Sequence, residues 1–255
     1  MTEPGVPAML RVRHLSKAFG GVDAVHDVSF GVAPGELVAL IGPNGAGKTT
    51  CFNLVNGQLA ADAGTVMLGD RRIDGLPPRA IARLGVGRTF QVAATFASMT
   101  VRENAQIALL AHAGALRSVL TRATRRLRAD ADALLARVGV AKLADLGCAT
   151  LAYGDAKRVE LALALAGSPR LLLMDEPTAG MSPRSRGRLM QLAADLAREQ
   201  NIAVLFTEHD MDVVFGHADR VIVLDRGRLI AEGTPEAIRT DPRVRAVYLG
   251  EDIPE

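Results

Sequence analysis

The chain is expected to form an α/β domain whose core is a mostly parallel sheet, extended by antiparallel β structure and interrupted by a helical insertion. Three observations carry that expectation. Segments 37–41, 171–174 and 202–206 are nearly unbroken apolar runs, as strands covered on both faces require. Between the first of them and a following helical run lies a glycine-rich turn, so strand, loop and helix succeed one another within some twenty residues. From about residue 92 to residue 168 the apolar period becomes helical, with Leu116, Leu120, Leu127, Leu134, Leu135 and Val138 set among arginines and alanines.

Taken in order, β-rich segments fall at 10–15, 25–32, 36–41 and 65–68, then at 171–174, 202–206, 221–224 and 229–232. The alternating N-terminal and C-terminal pieces read as antiparallel additions to the parallel core. In the insertion, Arg117, Arg122, Arg125, Arg126 and Arg128 form a basic run that Asp130 and Asp132 balance, which reads as a solvated helix face. After Gly233, Thr234-Pro235-Glu236 has the form of a helix start, so a short helical tail is expected. The resulting organisation is a single domain over 8–255, with a core at 8–92 and 168–232, a helical part at 93–167 and a tail at 233–255.

Composition narrows the function. With 255 residues, 49% of them apolar, the chain can bury a full core. A formal charge of +2, with seven Phe, two Tyr and no Trp, argues against nucleic acid as a partner. The N-terminus lacks the basic stretch and apolar core of a secretory signal, and the run 105–116, broken by Gln106 and His112, is shorter than the ~20 residues of a membrane span. Cys51 and Cys148 supply neither a disulfide framework nor a metal spacing, and read as small buried side chains in a reducing compartment.

The turn after the first buried strand is Gly42, Pro43, Asn44, Gly45, Ala46, Gly47, Lys48, Thr49, followed by Thr50. This is the G-x-x-x-x-G-K-[ST] pattern in the strand-to-helix setting of a phosphate-binding loop. Its glycines let consecutive N–H groups turn toward an anion, and the helix start adds partial positive charge. Lys48 is then placed for the β- and γ-phosphates, and the Thr49 hydroxyl for Mg²⁺. A second buried strand ends in Asp175-Glu176. At the carboxyl end of a parallel strand both acids open toward the ligand crevice, Asp175 to support the metal and Glu176 to act on the attacking water. His209 likewise follows the buried strand 202–206, whereas His14, His26, His112 and His217 read as structural. Gln91 sits where the core gives way to the insertion, a position from which a side chain could reach Mg²⁺ or the water.

These pieces, in this order, resemble the ATP-binding cassette ATPases of ABC transporters over essentially the whole chain. Residues 42–49 match the family's Walker A, Gln91 its Q-loop, Leu151-Ala152-Tyr153-Gly154-Asp155 its signature, 171–176 its Walker B, Ala179-Gly180-Met181-Ser182 its D-loop and His209 its H-loop. Phe19 stands where the family places an aromatic ring that stacks on adenine. The resemblance implies a P-loop NTPase (RecA-like) fold, ATP and Mg²⁺ as ligands, and hydrolysis with Glu176, His209 and Gln91 as catalytic groups. It also implies nucleotide contacts from Ala152, Tyr153 and Gly154. The partners it implies are a second cassette, separate membrane permeases and, indirectly, a periplasmic or extracellular substrate-binding protein, with the chain at the cytoplasmic face of the membrane.

The signature departs from the family's L-S-G-G-Q at Ala152, Tyr153 and Asp155, which removes one hydroxyl donor while leaving Gly154 and the helix-start amides. Ser182 replaces the usual Asp of the D-loop. Residues 19–21, 85–91, 151–155 and 247–251 look like the ATPases of branched-chain amino acid importers, with lipopolysaccharide-export and urea- or amide-importer ATPases as similar alternatives.

Overall fold

The computed structural model describes residues 8–89, 95–113 and 121–248, apart from the side chains of 121–126. The N-terminal strands β1 (Leu10–Phe19) and β2 (Val22–Val32) form an antiparallel hairpin. With β4 (Ala63–Leu68) and β5 (Arg71–Arg72) they make a sheet of order β2-β1-β4-β5. The larger sheet contains β3 (Leu37–Ile41), β6 (Val86–Thr89), β7 (Leu171–Asp175), β8 (Ala203–Thr207), β9 (Arg220–Asp225) and β10 (Arg228–Gly233). Its order is β10-β9-β3-β8-β7-β6, and every pairing is parallel except that of β10 with β9.

Alternate residues of the parallel strands enter two separate cores, which is why their sequences carry no polar face. Leu37, Ala39 and Ile41 of β3 join Leu172 and Met174, Val204 and Phe206, and Val221 and Val223 in one core. Val38 and Leu40 join Leu171 and Leu173, Ala203 and Leu205, and Ile222 and Leu224 in the other. The first core is covered by α3 (Val101–His112), α4 (Thr121–Arg137), α5 (Tyr153–Leu165), α6 (Pro183–Gln200), α7 (Met211–His217) and the tail helices α8 (Pro235–Thr240) and α9 (Pro242–Tyr248). The second is covered by α1 (Lys48–Val55), the antiparallel sheet and Ile81 of α2 (Pro78–Arg83).

The strand pattern differs from expectation in two places. Residues 221–224 look like one of the antiparallel additions, yet β9 lies parallel to β3, with Ala39 opposite Val221 and Ile41 opposite Val223. The charged flanks Arg220 and Asp225 give the segment an amphipathic look, while its four central residues are fully buried. The short strand β6 has no counterpart among the expected segments, because Val-Gly-Arg-Thr has neither a long apolar run nor alternation. It pairs in parallel with β7 from Val86 opposite Leu171 to Thr89 opposite Met174.

Local signals fix the helix starts around this frame. Thr100 and Glu103 form a capping box at α3, Asp210 accepts N–H groups at α7, and Thr234 does so at α8. Asn104, buried in α3, holds the segment before it: its amide oxygen accepts the Phe96 N–H at 2.7 Å and its amide nitrogen donates to Phe96 O at 3.2 Å.

Candidate active site

The glycine-rich loop leaves the sheet at its centre. Gly42 has φ 154°, and a Cβ there would lie 2.2 Å from Leu224 O; at Gly47, φ 100°, it would lie 2.3 Å from Ala24 O. Only glycine permits those approaches. Gly45, by contrast, has nothing within 4 Å of its Cβ position, so the outer side of the turn is open. Ala46 clamps the turn from within, donating to Pro43 O at 3.1 Å and accepting from Gly227 N–H at 3.0 Å. The Lys48 side chain is buried and its ammonium donates to Gly42 O and, at 3.1 Å, to Pro43 O. Pro43 and Thr50 are half-buried, whereas Asn44 and Thr49 are exposed. No side chain caps α1 at Gly47, so its first N–H groups keep their capacity to bind an anion. Cys51, one turn on, is inert: burial pushes its thiol up to about 12.

Because β3, β8 and β7 are adjacent and parallel, their carboxyl ends share one edge, with Leu40 beside Thr207 and Thr207 beside Asp175. That alignment brings the acids next to the loop. Asp175 is buried, accepting from the Thr207 hydroxyl at 2.8 Å on Oδ1 and from the Arg88 guanidinium at 3.4 Å on Oδ2. Thr207 Oγ1 also accepts the Glu176 N–H at 3.1 Å. Burial pulls Arg88 below its ordinary range, and the charge of Asp175 opposes that shift.

Glu176 has φ 46°, a left-handed conformation that costs a residue bearing a Cβ about 1 kcal/mol or more and that the Thr207 contacts hold in place. Its Oε1 lies 2.9 Å from His209 Nε2, a hydrogen bond when that nitrogen carries the proton. Glu208 is buried behind the pair, accepting from Thr178 N–H at 2.8 Å and from His209 N–H at 3.3 Å. Burial, reinforced by the charge of Glu176, raises its carboxyl above the usual range despite those bonds. Asp175, Glu176 and His209, each expected at a strand's carboxyl end, therefore meet at one sheet edge, as the loop requires.

The remaining residues lie elsewhere. Phe19, at the end of β1, is 48% exposed, with the Lys17 ammonium 5.4 Å from its ring centroid. Ala152 is the extended residue before α5 and supplies no side-chain cap. Tyr153 is 48% exposed; its hydroxyl donates to Ala179 O at 3.0 Å and the Lys157 ammonium sits 5.9 Å from its ring centroid. Gly154 faces Met181 and Ser185, and Asp155 pairs with Arg158. Ser182 occupies the position before α6, its hydroxyl 3.0 Å from that of Ser185. Gln91 lies outside the described residues.

Sequence reasoning does not single out Arg88 or Thr207, although both contact Asp175. Thr207 offers a faint signal as the one hydroxyl closing an apolar run beside acidic residues. Arg88, inside the hidden strand β6, offers none.

The residues fit a triphosphate and Mg²⁺. The open side of Gly45, the uncapped start of α1 and the buried lysine form a cationic cradle, and the oxygens of Thr49 and Asp175 are of the kind that Mg²⁺ prefers. Known proteins resemble the chain as a whole. A family profile described as "ABC transporter" matches residues 25–179, and one described as "Branched-chain amino acid ATP-binding cassette transporter" matches residues 228–253. The chain is 42% identical over 250 residues to the high-affinity branched-chain amino acid transport ATP-binding protein LivG of Escherichia coli (strain K12), covering 95% of this chain and 98% of that protein. It is 38% identical over 246 residues to the lipopolysaccharide export system ATP-binding protein LptB of the same strain, covering 96% and 99%. Among solved structures, the ADP conformation of MJ1267, an ATP-binding cassette of an ABC transporter, superposes with a TM-score of 0.84 at 29% identity, covering 96% and 99% of the two chains. With the loop, the strand-tip acids and this likeness together, the chain belongs to the ABC transporter family as one of its ATP-hydrolysing, ATP-binding cassettes.

Proposed function

We infer that this cassette powers the import of branched-chain amino acids through separate membrane permeases. The observation that carries the substrate class is the match of residues 228–253 to the C-terminal profile of branched-chain amino acid cassettes, together with 42% identity to LivG over nearly the whole chain. Lipopolysaccharide export is the second reading, favoured by 38% identity to LptB.

In the proposed mechanism, the amides of 42–47 and Lys48 would bind the phosphates, Thr49 and Asp175 would hold Mg²⁺, and Phe19 would stack on the adenine. Bound Mg²⁺ supplies charge neutralisation for the transferred phosphoryl group. Glu176 orients and deprotonates the attacking water, and His209 fixes the carboxylate of Glu176 through their 2.9 Å contact. Gln91 contributes from the boundary of the helical part. The division into a core at 8–92 and 168–232, helices at 93–167 and a tail at 233–255 belongs to the same proposal.

Each chain carries one loop and one signature, so a second cassette completes the site by presenting its own Ala152, Tyr153 and Gly154 to the nucleotide. Closure of the pair follows because ATP binds the closed state better. Among the described residues no helix is long and apolar enough to cross a membrane, and the chain is proposed to attach peripherally, at the cytoplasmic face, through the permeases. A substrate-binding protein would act on those permeases from the other side.

The test is transport by the cassette reconstituted with its permeases in vesicles. ATP-driven uptake of labelled leucine, isoleucine or valine is the expected outcome. Extraction of lipopolysaccharide without amino acid uptake would replace this reading with the second.

A further inference from the structure

The acid assigned to Mg²⁺ is held at both oxygens by side chains from different strands. Thr207 takes Oδ1, and Arg88 takes Oδ2. The Arg88 side chain is only 10% exposed and that of Asp175 only 9%, so the contact is largely screened from water. The same guanidinium donates to Asn53 Oδ1 at 3.0 Å, in the helix that follows the phosphate loop, and to Gln58 Oε1 at 3.1 Å, just beyond that helix. One planar fork thus ties the β7 tip to α1 from the edge strand β6.

Burying an arginine costs desolvation, and a buried ion pair returns little net stability for that cost. What the arrangement does provide is geometry: contacts at both oxygens restrain the carboxylate from swinging. We propose that Arg88 is a positioning residue that fixes the Asp175 carboxylate relative to α1, so that Asp175 meets Mg²⁺ on the phosphates without reorganising. The proposal rests on the assignment of Asp175 to Mg²⁺ made above. Arg88 acts through Asp175.

Two physical roles make opposite predictions. If Arg88 were merely a nearby positive charge, its removal would strengthen Mg²⁺ binding by relieving like-charge repulsion. If it positions the acid, its removal weakens the Mg²⁺-dependent part of nucleotide binding, and lysine, a point charge without the fork, restores only part of it.

The experiment measures the affinity of full-length parent, Arg88→Gln and Arg88→Lys for the non-hydrolysable β,γ-imido analogue of ATP, by calorimetry in excess EDTA and across a Mg²⁺ titration. Thermal melts of each protein accompany it. Affinity in EDTA should match the parent, because the phosphate loop is untouched. The gain in affinity on adding Mg²⁺ should fall about tenfold in Arg88→Gln, the scale of one lost charged hydrogen bond, and by less in Arg88→Lys. An unchanged or larger gain in Arg88→Gln would overturn the proposal, as would an equal loss with and without Mg²⁺. Should Arg88→Gln fail to fold, a full parental gain in Arg88→Lys would overturn it. A parent whose affinity ignores Mg²⁺ would instead refute the assignment of Asp175, and the proposal with it.

Discussion

The phosphate loop and the start of α5 are both glycine-containing turns that open a helix, yet they are built in opposite ways. The loop is pinned from inside. Gly42 and Gly47 press against the carbonyls of Leu224 and Ala24, Ala46 is hydrogen-bonded in both directions, and Lys48 is buried. The α5 start is held by Tyr153 on Ala179, by Gly154 against Met181 and Ser185 and by the Asp155–Arg158 pair, and Tyr153 stays half in solvent. Beside it a cleft of 550 Å³, lined in part by Gly154, Arg158, Met181 and Arg188, remains open. One turn is thus shaped by groups of its own chain, as its proposed grip on phosphate requires, while the other displays Tyr153 outward, as the proposed role toward a second cassette requires. The altered positions take part in holding the turn: Tyr153 bonds Ala179 O and Asp155 pairs with Arg158, while Ala152 supplies no side-chain cap.

Substitutions on the two sides should separate accordingly. The largest effect is expected at the strand edge beside the loop. Glu176→Gln should lower the turnover number about 100-fold or more while leaving ATP affinity intact, measured by phosphate release and calorimetry. On the signature side, Gly154→Glu should fold normally, because a Cβ there makes only ordinary contacts of 3.6–3.8 Å. Its negative charge at a helix start facing phosphate should cut turnover about tenfold with no change in nucleotide affinity of the single chain. Weaker nucleotide binding by Gly154→Glu would erase the distinction drawn between the two turns.

Smaller effects sharpen the same contrast. Thr207→Val removes the hydroxyl that bonds Asp175 and Glu176, and should cost about 1–3 kcal/mol of stability in urea denaturation, since it leaves a buried carboxylate oxygen short of a donor. Tyr153→Phe loses only the half-exposed bond to Ala179 O and should cost less than about 1 kcal/mol. If the two substitutions destabilised equally, the α5 start would be as firmly built as the strand edge.

How much of this is legible in the sequence depends on whether a residue's role is written in its neighbours along the chain. The parallel core announces itself because strands covered on both faces must be apolar throughout, and Asp175-Glu176 stands out as charge at the end of such a run. The loop is legible for a related reason, since only glycine tolerates the approaches at 42 and 47. Strand β6 is hidden because four residues are too few to show a period, and with it goes Arg88, whose partners lie 30 to 87 residues away. Strand β9 is easily misplaced because its charged ends imitate alternation. The positions of Phe19 and of 152–154 carry no physical signal of their own; resemblance alone picks them out.

The central claim is that residues 42–49 hold the phosphates of ATP, with Lys48 as their cation. Calorimetric titration of the β,γ-imido analogue with Mg²⁺ into the parent and into Lys48→Ala tests it most directly. The parent should bind, and Lys48→Ala, where the loop has lost its buried charge, should lose about 100-fold or more in affinity. Equal affinities would contradict it.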